Sequence, residues 1–160
     1  MRFISFMNII AALLLILPVA GRARTITVLS DDNYPPYIFR DNDGELQGII
    51  VDQWKLWSER TGVEVKLVAT DWGKALESMA RGRGDVIDTT FYTESRDKIF
   101  DYAPPYATIE VPVFFDEKLS GINTIESLRG FVVGVKSGDA CIDVLRRGGV
   151  STLKEYPSYE

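Results

Sequence analysis

The sequence contains no histidine and only one cysteine, Cys141. Without histidine, neither a Ser-His-Asp triad nor a Cys-His pair can be assembled, and the usual zinc ligand sets are out of reach. A single thiol forms no disulfide within the chain, so Cys141 is most simply read as a small buried hydrophobe. Basic charge is also short: 18 Lys and Arg face 23 Asp and Glu, a formal charge of −5. That field repels phosphate backbones and anionic headgroups, so nucleic acid is not an expected partner. Low-complexity tracts are missing too. With 46% hydrophobic and 26% charged residues over 160 positions, the chain has ordinary globular composition and enough apolar side chain for one core or two small ones.

What is present begins with an apolar run. Arg2 precedes IIAALLLILPVA (residues 9–20), and Gly21 and Ala23 place small residues after it in a cleavage-site pattern. This reads as a secretory signal peptide over residues 1–23, cut after Ala23. The alternative is an uncleaved anchor over residues 3–21, interrupted by Ser5, Asn8 and Pro18. No cysteine follows the run, which argues against a lipid anchor.

Beyond residue 23, strand-like and helix-like pieces alternate. TITVL (residues 25–29), VEVKLV (63–68), DVIDT (85–89), VPVFF (111–115) and FVVGV (131–135) are strand candidates. Ile50, Trp54 and Trp57 fall at i, i+4, i+7 before a stop at Gly62; Trp72, Leu76 and Met79 repeat the spacing before Gly82, with Asp71 as N-cap. This order predicts βαβ units and a parallel sheet. The tryptophans read as core packing of helices on that sheet rather than as site residues. Ligands of open parallel sheets bind beyond the carboxyl ends of the strands. The loop SDDNYPPYIF (residues 30–39), with two prolines between two tyrosines beside two aspartates, lies at such an end. Further on, KSGDA leads into CIDVLRRGG, where Cys141, Val144 and Leu145 mark one helical face. VSTLKEYPSYE then reads as a short strand, a turn and the first residues of a helix, so the chain is expected to be a fragment.

The ordered blocks DDNYPPY, GELQGIIVD, DWGKALESMARGRGDVI, TESRDKIFDYAPPY and ESLRGFVVGVKSG resemble the family 3 bacterial extracellular solute-binding proteins. The resemblance implies an α/β fold of the type II periplasmic-binding kind: two lobes of parallel-rich sheet with flanking helices, residues 24–113 forming lobe one and 114–160 the start of an incomplete lobe two. It implies that Tyr34 presents its ring to a ligand and that Asp31 holds a ligand amino group. Pro35 and Pro36 restrict the loop, so the Tyr34 ring has little entropy left to lose, while Tyr37 is expected to plug the core. Arg96 matches the ligand-carboxylate arginine; a guanidinium is a planar fork suited to that task, and its competing reading is an ion pair with Glu94 or Asp97. Thr93 adds a hydroxyl. Ser137 and Gly138, before a helix N-terminus able to hold an anion, complete the candidate set. Phe91, Asp139 and Ala140 depart from the hydroxyl-bearing pattern of amino-acid binders, and Asp139 has a second reading as a helix cap.

The function implied is binding of a small polar, carboxylate-bearing, amino-acid-like solute in the periplasm, for delivery to an ABC transporter permease. The alternative is the sensor domain of a membrane signalling protein, a kinase or diguanylate cyclase. A distant third is a dehydratase-like enzyme; no acid or base stands out as tuned, and no enzyme activity, cofactor or metal is expected. Export with loss of residues 1–23 is testable by mass spectrometry of the secreted N-terminus: the expected first residue is Arg24, and an intact Met1 in a membrane fraction would favour the anchor.

Overall fold

The structure is a computed structural model that describes residues 24–158; the signal-peptide reading lies outside the described residues. The β-branched run after Arg24 becomes β1 (Thr25–Asp31), which pairs in parallel with β5 (Glu64–Thr70) on one side and β6 (Val86–Ile87) on the other. Register places Val28 opposite both Leu67 and Val86. Val28 and Leu29 point to opposite faces and both are buried, as a central parallel strand requires. A small antiparallel sheet of β2 (Asn33–Tyr34), β3 (Ile38–Arg40) and β4 (Leu46–Gln47) follows β1.

The crossovers are helices, as the periodicity predicts. Helix α1 (Ile49–Thr61) stops at Gly62 and lacks a side-chain N-cap. Its first N–H groups donate instead to the aromatic loop, Ile49 to the Pro36 carbonyl at 3.2 Å and Ile50 to that of Tyr37 at 2.9 Å. Only glycine permits this approach: a Cβ at Gly48, where φ is +118°, would run into the Tyr37 carbonyl. The helix end thus fixes the loop that carries Tyr34. Helix α2 (Trp72–Ala80) begins at the expected cap, with Asp71 Oδ1 accepting the Lys74 N–H at 3.3 Å.

Three expectations are corrected. Trp54 and Trp57 are not core: they meet edge to face 5.5 Å apart, Trp57 is exposed, and in α1 only Ile50 is fully covered. Residues 111–115 form no strand; apolar alternation makes a strand only where a neighbour supplies a ladder, and among the described residues none pairs with it, leaving Phe114 90% exposed. In the last helix, α3 (Cys141–Arg147), the buried residues are Ile142 and Leu145, whereas Val144 is exposed. Val144 sits about 200° round the helix from Ile142, so the two cannot share a face.

That helix joins β7 (Val133–Lys136) to β8 (Leu153–Tyr156), a parallel pair with Val133 opposite Leu153. Leu128, Val135, Ile142, Leu145 and Val150 form its core, with half-buried Cys141 packed against it. Between the two parallel sheets, residues 88–132 are mostly irregular, apart from a short 3-10 turn (Glu126–Leu128).

Asp88, just past β6, ties this irregular chain down. Its Oδ2 accepts Trp54 Nε1–H at 2.6 Å, and its Oδ1 accepts the Tyr106 hydroxyl at 2.6 Å and the Thr89 N–H at 2.6 Å. Burial first, and then the Asp88 hydrogen bond, push Tyr106 well above the usual tyrosine value of 10.0. Asp88→Ala is expected to cost roughly 1–3 kcal/mol, because it removes one acceptor shared by the half-buried Trp54 Nε1–H and Thr89 N–H and the Tyr106 hydroxyl. The folded chain holds Tyr106 neutral while the unfolded chain ionises it, so its contribution is present below pH 10.0 and lost as pH rises beyond it. Urea melts of wild type and Tyr106→Phe across that range should converge as pH rises.

Candidate functional site

Four of the five parallel strands, β1, β5, β6 and β7, deliver residues to one cleft from their carboxyl ends. Asp31 and Tyr34 follow β1, Trp72 follows β5, Thr89, Phe91 and Arg96 follow β6, and Lys136, Asp139 and Ala140 follow β7. They line one small cleft that opens to solvent at its mouth. This is where open parallel sheets place ligands, since strand ends expose backbone groups and helix starts there. Thr89 holds φ of +60° at the cleft edge, a conformation uncommon for a non-glycine residue.

Arg96 is the central cation. It is only 8% exposed, and its guanidinium donates from Nη1 to the Phe91 carbonyl at 2.8 Å and from Nη2 to the Gly138 carbonyl at 2.7 Å. The Trp72 ring lies beneath it, 5.6 Å from Cζ to the ring centroid, and Trp72 Nε1–H donates to the same Gly138 carbonyl at 3.1 Å. Neither Glu94 nor Asp97 lies within ion-pairing distance of it, so the surface ion-pair reading of Arg96 is corrected: burial removes it from those neighbours. Burial also pulls its pKa below the ordinary value, against the opposing charges of Tyr102, Asp139 and Asp143. Gly138 sits at φ +75°, and a Cβ there would press on Leu76 at 3.0 Å, so glycine is what lets the β7–α3 loop reach α2.

The second feature is an ion pair. Lys136 Nζ, at the last position of β7, meets Asp31 Oδ2 at 2.5 Å and donates to the Asn33 carbonyl at 3.3 Å; both side chains are almost fully buried. Burial pushes the Asp31 carboxyl up from its usual value, and the Lys136 ammonium pulls it back. The carboxylate expected to meet a ligand amino group therefore has a partner from the chain itself.

Other expected residues are placed less centrally. Tyr34 lines the cleft and stacks on Tyr37, centroids 5.6 Å apart at 24°, so Tyr37 is half-buried support for the ring rather than a core plug; Ile38 takes the core position. Burial, then the Asp139 charge, raise Tyr34 above the ordinary tyrosine value, which keeps its hydroxyl protonated. Thr93 is buried under the loop, where its Oγ1 accepts the Arg96 N–H at 3.2 Å and meets Ser95 Oγ at 2.9 Å. Ser137 donates its N–H to the Tyr156 carbonyl at 2.8 Å, and neither Thr93 nor Ser137 lines the cleft. Asp139 Oδ1 accepts the Cys141 N–H at 2.9 Å, so at the start of α3 that donor is used within the chain.

Sequence reasoning missed Trp72 and Lys136. Trp72 was grouped with the helical tryptophans, yet it alone opens its helix directly after a strand end. Lys136 closes an apolar strand with a charge, as Asp31 does, and that shared position was the available signal. Removing one member of a buried pair strands the other, so Asp31→Ala and Lys136→Ala should each destabilise by about 3–5 kcal/mol, and replacing both with apolar residues of similar size should cost less than either. Thermal melts of the singles and the double test this.

Comparison with known proteins identifies relatives of the same fold. The L-cystine-binding protein TcyJ of Escherichia coli (strain K12) is 31% identical over 125 residues, 77% of this chain and 47% of its own length. A solved ancestral arginine-binding protein bound to glutamine superposes with a TM-score of 0.69 at 26% identity, over 84% of this chain and 61% of that one. A histidine kinase sensor domain with similarity to periplasmic binding proteins superposes at 0.70 with 27% identity, over 86% and 60%. The chain spans about half the length of the curated relative it matches. The family model for bacterial extracellular solute-binding proteins, family 3, matches residues 26–154, and with the strand-end cleft between parallel sheets this places the chain in that family.

Proposed function

We propose that this chain carries the binding cleft of a periplasmic receptor for a small polar, carboxylate-bearing, amino-acid-like solute that it hands to an ABC-type importer. Residues 24–113 act as the first lobe and 114–160 as the start of the second. Arg96 carries the reading: a buried guanidinium with no carboxylate in ion-pairing distance among the described residues, set on an aromatic ring at the carboxyl ends of the strands. Such a fork gains most from a bidentate anion, and a ligand carboxylate exchanges the Gly138 carbonyl for a charged acceptor. Tyr34, stacked on Tyr37, supplies the flat apolar wall.

The bonds that span the cleft also support a closing receptor. Arg96 and Trp72 on one side hold Gly138 on the other, Lys136 holds Asp31, and Ser95 Oγ donates to Asp143 Oδ2 at 3.0 Å. Ligand contacts to both sides would bias the same hinge equilibrium. A second reading, the ectodomain of a membrane-bound kinase or cyclase, is favoured by the sensor-domain likeness. The two separate on the full polypeptide, which ends as a free binding protein in one case and continues into a membrane helix and signalling domain in the other.

Calorimetric titration of the full protein with a panel of L-amino acids tests the site. Affinity should fall in the order wild type, Arg96→Lys, Arg96→Ala, the alanine step costing about 2–5 kcal/mol. Tyr34→Ala should cost about 1–3 kcal/mol. Unchanged affinity in Arg96→Ala with a lowered melting temperature would make Arg96 a structural residue and sink the proposal.

A further inference from the structure

The cleft holds two cations and two carboxylates before any solute arrives. Arg96 and Asp139 both line the cleft without forming an ion pair, whereas Lys136 is bonded directly to Asp31. The two cations are not equivalent. Arg96 is satisfied by carbonyls, which a ligand anion can replace. Asp31 is 5% exposed and Lys136 2% exposed, joined by a direct ion pair, with the Lys136 ammonium anchored a second time on the Asn33 carbonyl. Asp139 gives one oxygen to the Cys141 N–H.

We infer that Lys136 is a specificity-determining residue: its ammonium occupies Asp31, so the cleft accepts carboxylate-bearing solutes whose distal group is neutral or anionic and rejects those whose distal group is cationic. This rests on the reading of the cleft as a carboxylate-solute site.

The physical reason is desolvation. A guanidinium or ammonium entering the Asp31 side of the cleft loses its water and needs a carboxylate in return. Here that carboxylate is already neutralised by Lys136, and the incoming cation meets a second positive charge instead. To bind, it must expel Lys136 from a site where the lysine has no bulk water to enter, which leaves one cation unpaired whichever wins. A neutral amide or a carboxylate meets no such conflict. The tertiary structure sets this, by bringing the ammonium at the end of β7 against the carboxylate at the end of β1.

The test is calorimetric titration of the full protein with three probes, L-arginine, L-glutamine and L-glutamate. Wild type should bind L-glutamine or L-glutamate at least tenfold more tightly than L-arginine. Lys136→Gln keeps a hydrogen-bond donor beside Asp31 but removes the charge, and should shift the arginine-to-glutamine affinity ratio at least tenfold towards arginine. Asp31→Asn combined with Lys136→Gln removes the freed carboxylate and should cancel that shift. Wild type binding L-arginine as tightly as L-glutamine overturns the inference, as does an unchanged ratio in a Lys136→Gln protein that melts cooperatively. If Lys136→Gln does not fold, the wild-type ratio alone decides. Heat from none of the three probes overturns the carboxylate-solute reading and the inference with it, whereas binding with the wrong ratio overturns the inference only.

Discussion

A buried ammonium and a buried carboxylate can leave water only together, and in this chain they come from strands more than a hundred residues apart, Lys136 at the end of β7 and Asp31 at the end of β1. Their meeting brings the carboxyl ends of two separate parallel sheets face to face. Once those ends are opposed, the loops that follow each strand have nowhere to go but the rim of one cleft. Tyr34, Trp72, Arg96 and Asp139 all owe their shared surroundings to that juxtaposition.

The cleft treats its two cations differently, and the difference is chemical. Lysine carries a compact charge that one carboxylate can neutralise; arginine presents a planar fork that carbonyls and an aromatic face can hold without cancelling its charge. Lys136 is therefore spent on the structure, while Arg96 stays a cation in a place where water is scarce.

In the proposed receptor the same bonds would link the two sides of the cleft to ligand binding. Set side by side on Gly138 and Asp31, they act together, and a ligand that replaces even one of them couples to the rest. The irregular chain between the sheets is held at both ends of this arrangement, through Asp88 on one side and through Arg96 and Ser95 at the cleft on the other.

How much of this was legible beforehand follows from the range of each interaction. Local signals sufficed for the strands around Val28, Leu67 and Val135, for the Asp71 cap, for the stops at Gly62 and Gly82, and for the strand-end location of the aromatic loop, because period, capping and turn chemistry act over a few residues. Block order was enough to identify the family. The sequence by itself also determined that no histidine or disulfide chemistry is available. It could not show that residues 111–115 lack a pairing partner, that Val144 turns outward, or that Tyr37 supports Tyr34, since each depends on which surface lies opposite. Nor did it show that Asp31 is already paired or that Trp72 underlies Arg96. Those outcomes join residues distant in the chain, and only the tertiary structure brings their side chains within the few ångströms over which an ion pair or a ring face acts.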